Sequence, residues 1–202
     1  MKENQVSESL LLGMILSFSG GFMDAYTYIC RGQVFANAQT GNILLLGIHL
    51  SEGDWLIALR YLLPVLAFTL GITISDVVRY RYKKSSQVIH WRQITILTEA
   101  IILLLVGFIP QSINLLANSL VSFACGIQVE SFRKIQGSGI ATTMCIGNLR
   151  ATTEAFTEFV SFHNDEAGKK AAFFGGMIII FVIGAVLGNI CVFFWQERAI
   201  FI

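Results

Sequence analysis

Apolar residues run through this chain in blocks of roughly 20, helix-spanning length for a hydrocarbon core about 30 Å thick. Short clusters of charged, glycine or serine residues separate them. Barrel strands would alternate in much shorter runs. The pattern predicts membrane segments at about 9–30, 34–51, 55–80, 93–109, 113–132, 139–161 and 171–195. Arg31-Gly32-Gln33 breaks the first. Ser51-Glu52-Gly53-Asp54 is a turn, with Asp54 placed to cap the third. Pro64 kinks the third by removing the donor for the Arg60 carbonyl. Gly184 and Gly188 give the seventh a small face for close packing.

The polar positions inside these blocks carry more information than the apolar ones. Asp24 sits in the second half of the first segment, after Gly20-Gly21-Phe22-Met23. The second segment opens on Asn37, Gln39, Thr40, Gly41 and Asn42. A shift of 106 places lays Gly20 on Gly126, Asp24 on Glu130, and Gly41-Asn42 on Gly147-Asn148. An apolar background alone does not put an acid over an acid and a Gly-Asn over a Gly-Asn. The expected architecture is an all-α polytopic membrane protein of about seven segments in a single domain, 1–202. It has a three-segment repeat (9–80), a linking span (93–109) and a second three-segment repeat (113–195).

Composition strengthens this class. The chain is 54% hydrophobic and 13% charged, about half the charge of a soluble domain, too little to coat a water-facing globule. The net charge of +1 gives no reason to expect a nucleic-acid partner. The short basic stretch Arg79–Lys84 suits anionic lipid headgroups better. Cys30, Cys125, Cys145 and Cys191 lack CxxC spacing, and His49, His90 and His163 are dispersed. Neither a metal site nor a cofactor is expected. The first segment follows Lys2 as a signal peptide would, yet its apolar run continues through Tyr28, so a retained span is expected.

Charge also bears on orientation. Arg79, Arg81, Lys83, Lys84 and Arg92 make the third connection cytoplasmic by the positive-inside rule. Two arrangements fit. If every segment crosses, there are seven spans, the N-terminus is outside, and the repeats share one orientation. If the second and sixth segments are re-entrant, five spans remain, the N-terminus is inside, and the repeats are inverted, as in many secondary transporters. The first is preferred, since residues 34–51 are just long enough to cross.

Asp24, Glu99, Glu130, Arg150 and Glu154 are expensive to leave facing lipid. They must pair, face a wet cavity or be neutral. Arg150 is the natural partner for the acids, with Glu154 on its own helical face. No phosphate loop, nucleophile elbow or zincin helix is present, so an enzyme is not expected. The leading expectation is a small-molecule or ion transporter, a homo-oligomer in the lipid bilayer. Its midplane site is built from Asp24, Asn42, Glu130, Asn148 and Arg150, with Gly41, Gly147, Glu154 and Glu99 as secondary candidates. The alternative is a membrane scaffold or sensor whose polar core only holds helices together.

The stretches Gly20-Gly21-Phe22-Met23-Asp24-Ala25, Phe35-Ala36-Asn37-Ala38-Gln39-Thr40-Gly41-Asn42-Ile43 and Ala141-Thr142-Thr143-Met144-Cys145-Ile146-Gly147-Asn148-Leu149 resemble the YoaK family. That is a group of bacterial multi-pass membrane proteins of unknown function. The likeness covers nearly the whole chain. It implies a bacterial plasma-membrane location and supplies no reaction. At position 130 it implies an uncharged residue, often an amide, so Glu130 is a departure of this chain.

Overall fold

The computed structural model describes residues 9–82, 91–135, 138–139 and 145–202, and among them it is an all-α membrane protein. The helices are α1 (Leu10–Cys30), α2 (Gln39–Glu52), α3 (Trp55–Tyr82), α4 (Trp91–Val106), α5 (Asn114–Ser131), α6 (Cys145–Phe162) and α7 (Asp165–Trp195). A two-residue strand pair, Lys134–Ile135 with Ser138–Gly139, follows α5. Local chemistry sets several boundaries. The Ser9 hydroxyl accepts the Leu12 N–H at 3.2 Å to start α1, and Asn164 caps α7 ahead of Asp165 and Glu166, acids suited to a helix N-terminus. Gly53, at φ 80°, ends α2. Pro64 lies inside an unbroken α3.

Four helical stretches are long and apolar enough to cross a membrane: Leu10–Cys30, Trp55–Arg81, Gln111–Ser131 and Asp165–Phe201. Their outward side chains are large and apolar, including Leu11, Leu56, Leu116, Ile179 and Phe193. Water would penalise such a surface and lipid does not. The buried core joins Met23 and Tyr26 of α1 to Phe68, Val106, Val121, Cys125 and Val192.

Glycines set the helix pairs. Cβ atoms added at Gly21 of α1 and Gly184 of α7 would run into the backbone carbonyls of Phe181 and Phe18, so these helices touch backbone to backbone. Gly71 of α3 and Gly126 of α5 do the same against the Phe123 and Phe68 carbonyls. Each glycine thus meets a phenylalanine that stands three residues before the partner's own glycine: Phe18-x-x-Gly21, Phe68-x-x-Gly71, Phe123-x-x-Gly126, Phe181-x-x-Gly184. Only glycine lets two helix backbones come this close.

Side-chain contacts give the directions. Along α1 and α7 the contacts advance together, from Ser17 on Met177 to Tyr26 on Glu197, so the two are parallel. So are α3 and α5, where Ser75 meets Ser131 beyond the glycines. In contrast, α1 and α5 run oppositely. Asn118 donates to the Arg31 carbonyl, Cys125 meets Met23, and Gln128 donates to the Leu16 carbonyl.

These directions do not support a full crossing by the second segment. After Cys30 the chain turns back, and Asn37 bonds Gly20 O at 3.1 Å, about 15 Å down α1 from its end. Residues 34–38 are irregular. The 14 residues of α2 then climb only about 21 Å, short of a 30 Å core, and deliver the chain to α3 at the end it left. The sixth segment is similar. Helix α6 starts beside the middle of α7, with Ile146 sharing a cavity with Phe181. It runs back along α7, Thr152 beside Gly175 and Phe159 against Gly168. Residues 140–144, part of that predicted span, lie outside the described residues.

Candidate functional site

Asp24 is buried, 8% exposed, at mid-height on α1. Its Oδ1 accepts the Asn37 N–H at 2.7 Å, so the carboxylate faces the start of α2, where free backbone N–H groups and the helix dipole favour an anion. Around it lies a cavity of about 550 Å³. Polar groups come from Asp24, Asn37, Gln39 and Thr40; Phe35, Ile146 and Phe181 supply apolar wall. Two helix starts therefore meet at one cavity: Gln39 and Thr40 open α2, and Cys145 and Ile146 open α6. They approach from opposite ends of the molecule.

Asn42 does not line this cavity. It is fully buried, and its amide spans the Phe35 backbone, accepting from Phe35 N at 3.0 Å and donating to Phe35 O at 2.7 Å. It also donates to Gln39 Oε1 at 2.8 Å. Asn42 thereby clamps the irregular stretch onto the first turn of α2. Gly41 is the companion device, because a Cβ there would lie 2.8 Å from the Phe35 ring. Asn148 occupies the corresponding place on α6 and is likewise buried. The residue it would clamp by the same spacing, Ala141, lies outside the described residues.

Four of the expected site residues, Glu130, Arg150, Glu154 and Gly147, are elsewhere. Glu130 sits at the far end of α5, ion-paired with Arg79 at 3.6 Å and Arg133 at 3.3 Å. The same Arg79 also pairs with Asp76. Two basic residues within reach hold Glu130 at the end of the helix, away from Asp24. Arg150 is 81% exposed and pairs with Glu154 at 2.7 Å, four residues along α6. The short-range partner wins because α6 turns that face outward, together with Gly147. The outer faces of α2 and α6 consequently differ: α2 shows Ile43, Leu44 and Ile48, whereas α6 shows Arg150, Thr153, Glu154 and Thr157 beside Ile146, Leu149, Phe156 and Val160.

Glu99 is a different case. It is 7% exposed on α4 and makes no hydrogen bond or ion pair among the described residues. It lies within electrostatic reach of the Cys125 thiol, as does Asp24.

Sequence reasoning passed over Arg31. Its side chain is fully buried. Its guanidinium donates to Tyr26 Oη at 2.9 and 2.7 Å, to Val106 O at 3.1 Å and Ile109 O at 2.7 Å past the end of α4, and to Asn114 Oδ1 at 3.3 Å. A cation among the last carbonyls of a helix is well placed. The signal in the sequence was an arginine followed by Gly32 and Gln33, both with positive φ, which turn the chain inward. A second cavity, about 420 Å³, opens beside it, lined by Arg31, Arg60, Gln111, Ser112, Asn114 and Asn118, among others. At the α2–α3 turn, the half-buried His49 lies 3.1 Å from Glu52 and 3.9 Å from Asp54, both exposed carboxylates.

Residues 12–202 match the family described as "Protein of unknown function (DUF1275)". Among curated proteins, the UPF0700 transmembrane protein YoaK of Bacillus subtilis (strain 168) is similar. It is 24% identical over 184 residues, which cover 86% of this chain and 79% of that protein. No solved structure matches.

Proposed function

The chain belongs to the DUF1275 family, whose function is unknown, and from that premise we propose that it is a transporter of a small molecule or ion, with its site at Asp24. The observation that carries the reading is the convergence of two short helix starts, from opposite ends, on one cavity beside a buried acid. Irregular backbone at membrane depth is tolerated where it is buried or lines a cavity. Broken helices around a midplane site, set within inverted repeats, are a common construction of secondary transporters.

Inverted repeats are the relation favoured here. Helices α1, α2 and α3 correspond to α5, α6 and α7. The Phe-x-x-Gly contacts equate Gly21 with Gly126 and Gly71 with Gly184, and the opposite runs of α1 and α5 supply the inversion. Orientation follows from charge. Arg79, Arg81, Arg133, Lys134, Lys169 and Lys170 gather at one end, against Arg31, Arg60 and Arg198 at the other, so the Arg79 end is cytoplasmic. That gives five crossings, with α2 and α6 re-entrant and the start of α1 inside.

One observation favours the scaffold reading: Asp24 Oδ1 already holds the Asn37 N–H, a bond that would pin the re-entrant stretch in any event. Flux and stability measured on one variant separate the two. Purified protein in proteoliposomes loaded with a pH-sensitive dye is challenged with pooled amino acids, sugars, carboxylates, amines and inorganic ions. Wild type gives a solute-dependent signal; Asp24→Asn abolishes it while keeping Tm within a few degrees. No flux from wild type with any pool, together with a large Tm loss in Asp24→Asn, overturns transport in favour of a scaffold.

A further inference from the structure

Among the described residues, the buried polar atoms with neither a hydrogen bond nor an ion pair include Asn37 Oδ1, Asn118 Oδ1 and Ser122 Oγ. Such atoms are costly to keep dry, and each calls for an explanation. Their placement suggests one. Asn118, Ser122 and Cys125 fall at i, i+4 and i+7 on α5, a single face of that helix. Neighbours on such a face stand about 5–6 Å apart between Cβ atoms. At that spacing Asn118 Oδ1 and Ser122 Oγ make no bond to one another, and one bridging water would satisfy both. Asn118 Nδ2 is committed to the Arg31 carbonyl at 2.7 Å, which fixes the amide and leaves its oxygen turned to the row.

The row has a defined beginning and end. Asn118 lines the cavity beside Arg31 and Arg60. At the other end the Cys125 thiol lies beside the Asn37 amide and within electrostatic reach of Asp24 and Glu99, and Asn37 lines the Asp24 cavity. The row thus leads from the one cavity towards the other. We propose that the Asn118–Ser122–Cys125 face of α5 is a hydrated path that brings water from the Arg31–Arg60 cavity to the acids at the centre of the molecule.

This inference does not depend on transport: a scaffold can have a hydrated core, and a transporter can be filled from its other end. Radiolytic hydroxyl-radical labelling of the full-length protein in lipid nanodiscs tests it, with isotopically labelled water and mass-spectrometric readout. Hydroxyl radicals generated from a bound water oxidise the sulfur beside it even when that sulfur is buried. Met23 and Met177 form an internal comparison. Both are buried, but only Met23 touches Cys125, at 3.7 Å, whereas Met177 receives the Ser17 hydroxyl at 3.6 Å away from the row. The path predicts that wild-type Cys125 and Met23 are oxidised several times faster than Met177. Ser122→Leu, which plugs the row, brings both down to the Met177 rate, and Ser122→Ala keeps them fast. Cys125 and Met23 labelled no faster than Met177 in the wild-type protein overturns the proposal, whatever the variants do.

Discussion

Replacing Gly21 or Gly126 by alanine tests the reciprocal helix contacts directly. An added Cβ at Gly21 would overlap the Phe181 carbonyl oxygen and sit 2.9 Å from its carbon; at Gly126 it would overlap the Phe68 oxygen and sit 3.0 Å from its carbon. Both obstacles are backbone, so no rotamer change relieves them. The helices must part by about 1 Å to restore an ordinary contact. Overpacking typically costs about 1–3 kcal/mol, and a backbone clash belongs at the upper end. Against this, Gly→Ala inside a helix returns about 1 kcal/mol of propensity. The clash wins, leaving a net loss of about 2 kcal/mol, which at about 2–4 °C per kcal/mol for a chain of this size lowers Tm by roughly 4–8 °C. Gly147 is the control, because a Cβ there meets nothing within 4 Å, so Gly147→Ala leaves Tm equal or slightly raised. Intrinsic tryptophan fluorescence during thermal unfolding reads all three. Equal drops at Gly21 and Gly126 are expected, since each opposes the same carbonyl of an equivalent helix. A Gly21→Ala or Gly126→Ala Tm indistinguishable from that of Gly147→Ala would refute the backbone contacts and, with them, the correspondence between α1–α7 and α5–α3.

Three further outcomes follow from the site. Asn42→Ala strips the Phe35 N–H and C=O of their partners, and at about 1–3 kcal/mol for each buried unpaired group it lowers Tm well beyond Asp24→Asn in the same melt. Arg150→Ala and Glu154→Ala, on the outward face of α6, leave Tm and any flux unchanged; a large effect of either would bring that face back into the site. Alkaline phosphatase inserted at Gly53 is active and at Glu166 inactive, because five crossings put the α2–α3 turn outside and the α6–α7 turn inside; the opposite pattern sinks the orientation.

The membrane class and the segment positions were legible because long apolar blocks have one physical explanation. Asp24 was legible for the converse reason, as an acid in a place where acids are costly. The pairing of Asp24 with Glu130 differs by one residue from the register that the proposed inverted repeat uses. A shift of 106 lays Gly20 on Gly126, whereas the contacts equate Gly21 with Gly126, a shift of 105 that puts Val129 opposite Asp24. The Phe-x-x-Gly quartet would have fixed that register, but in a chain of 16 Phe and 18 Gly it does not stand out until the glycines are seen against carbonyls. Asn42 and Asn148 do keep the spacing of 106. The row on α5 was invisible for another reason: Asn118, Ser122 and Cys125 are unremarkable singly, and only the buried, unpartnered Asn118 Oδ1 and Ser122 Oγ mark it.

The unlike outer faces of α2 and α6 make the two halves unequal partners in any rocking motion. Ile43, Leu44 and Ile48 are as comfortable at one depth of oil as at another, so on its lipid-facing side α2 can be accommodated at either depth. Helix α6 cannot. Any travel towards the membrane centre drags the Arg150–Glu154 pair away from water, while travel towards the cytoplasm releases it. In the transporter proposed above, such a piston has a stop on one side only, and its stroke is biased inward by the Arg150–Glu154 pair.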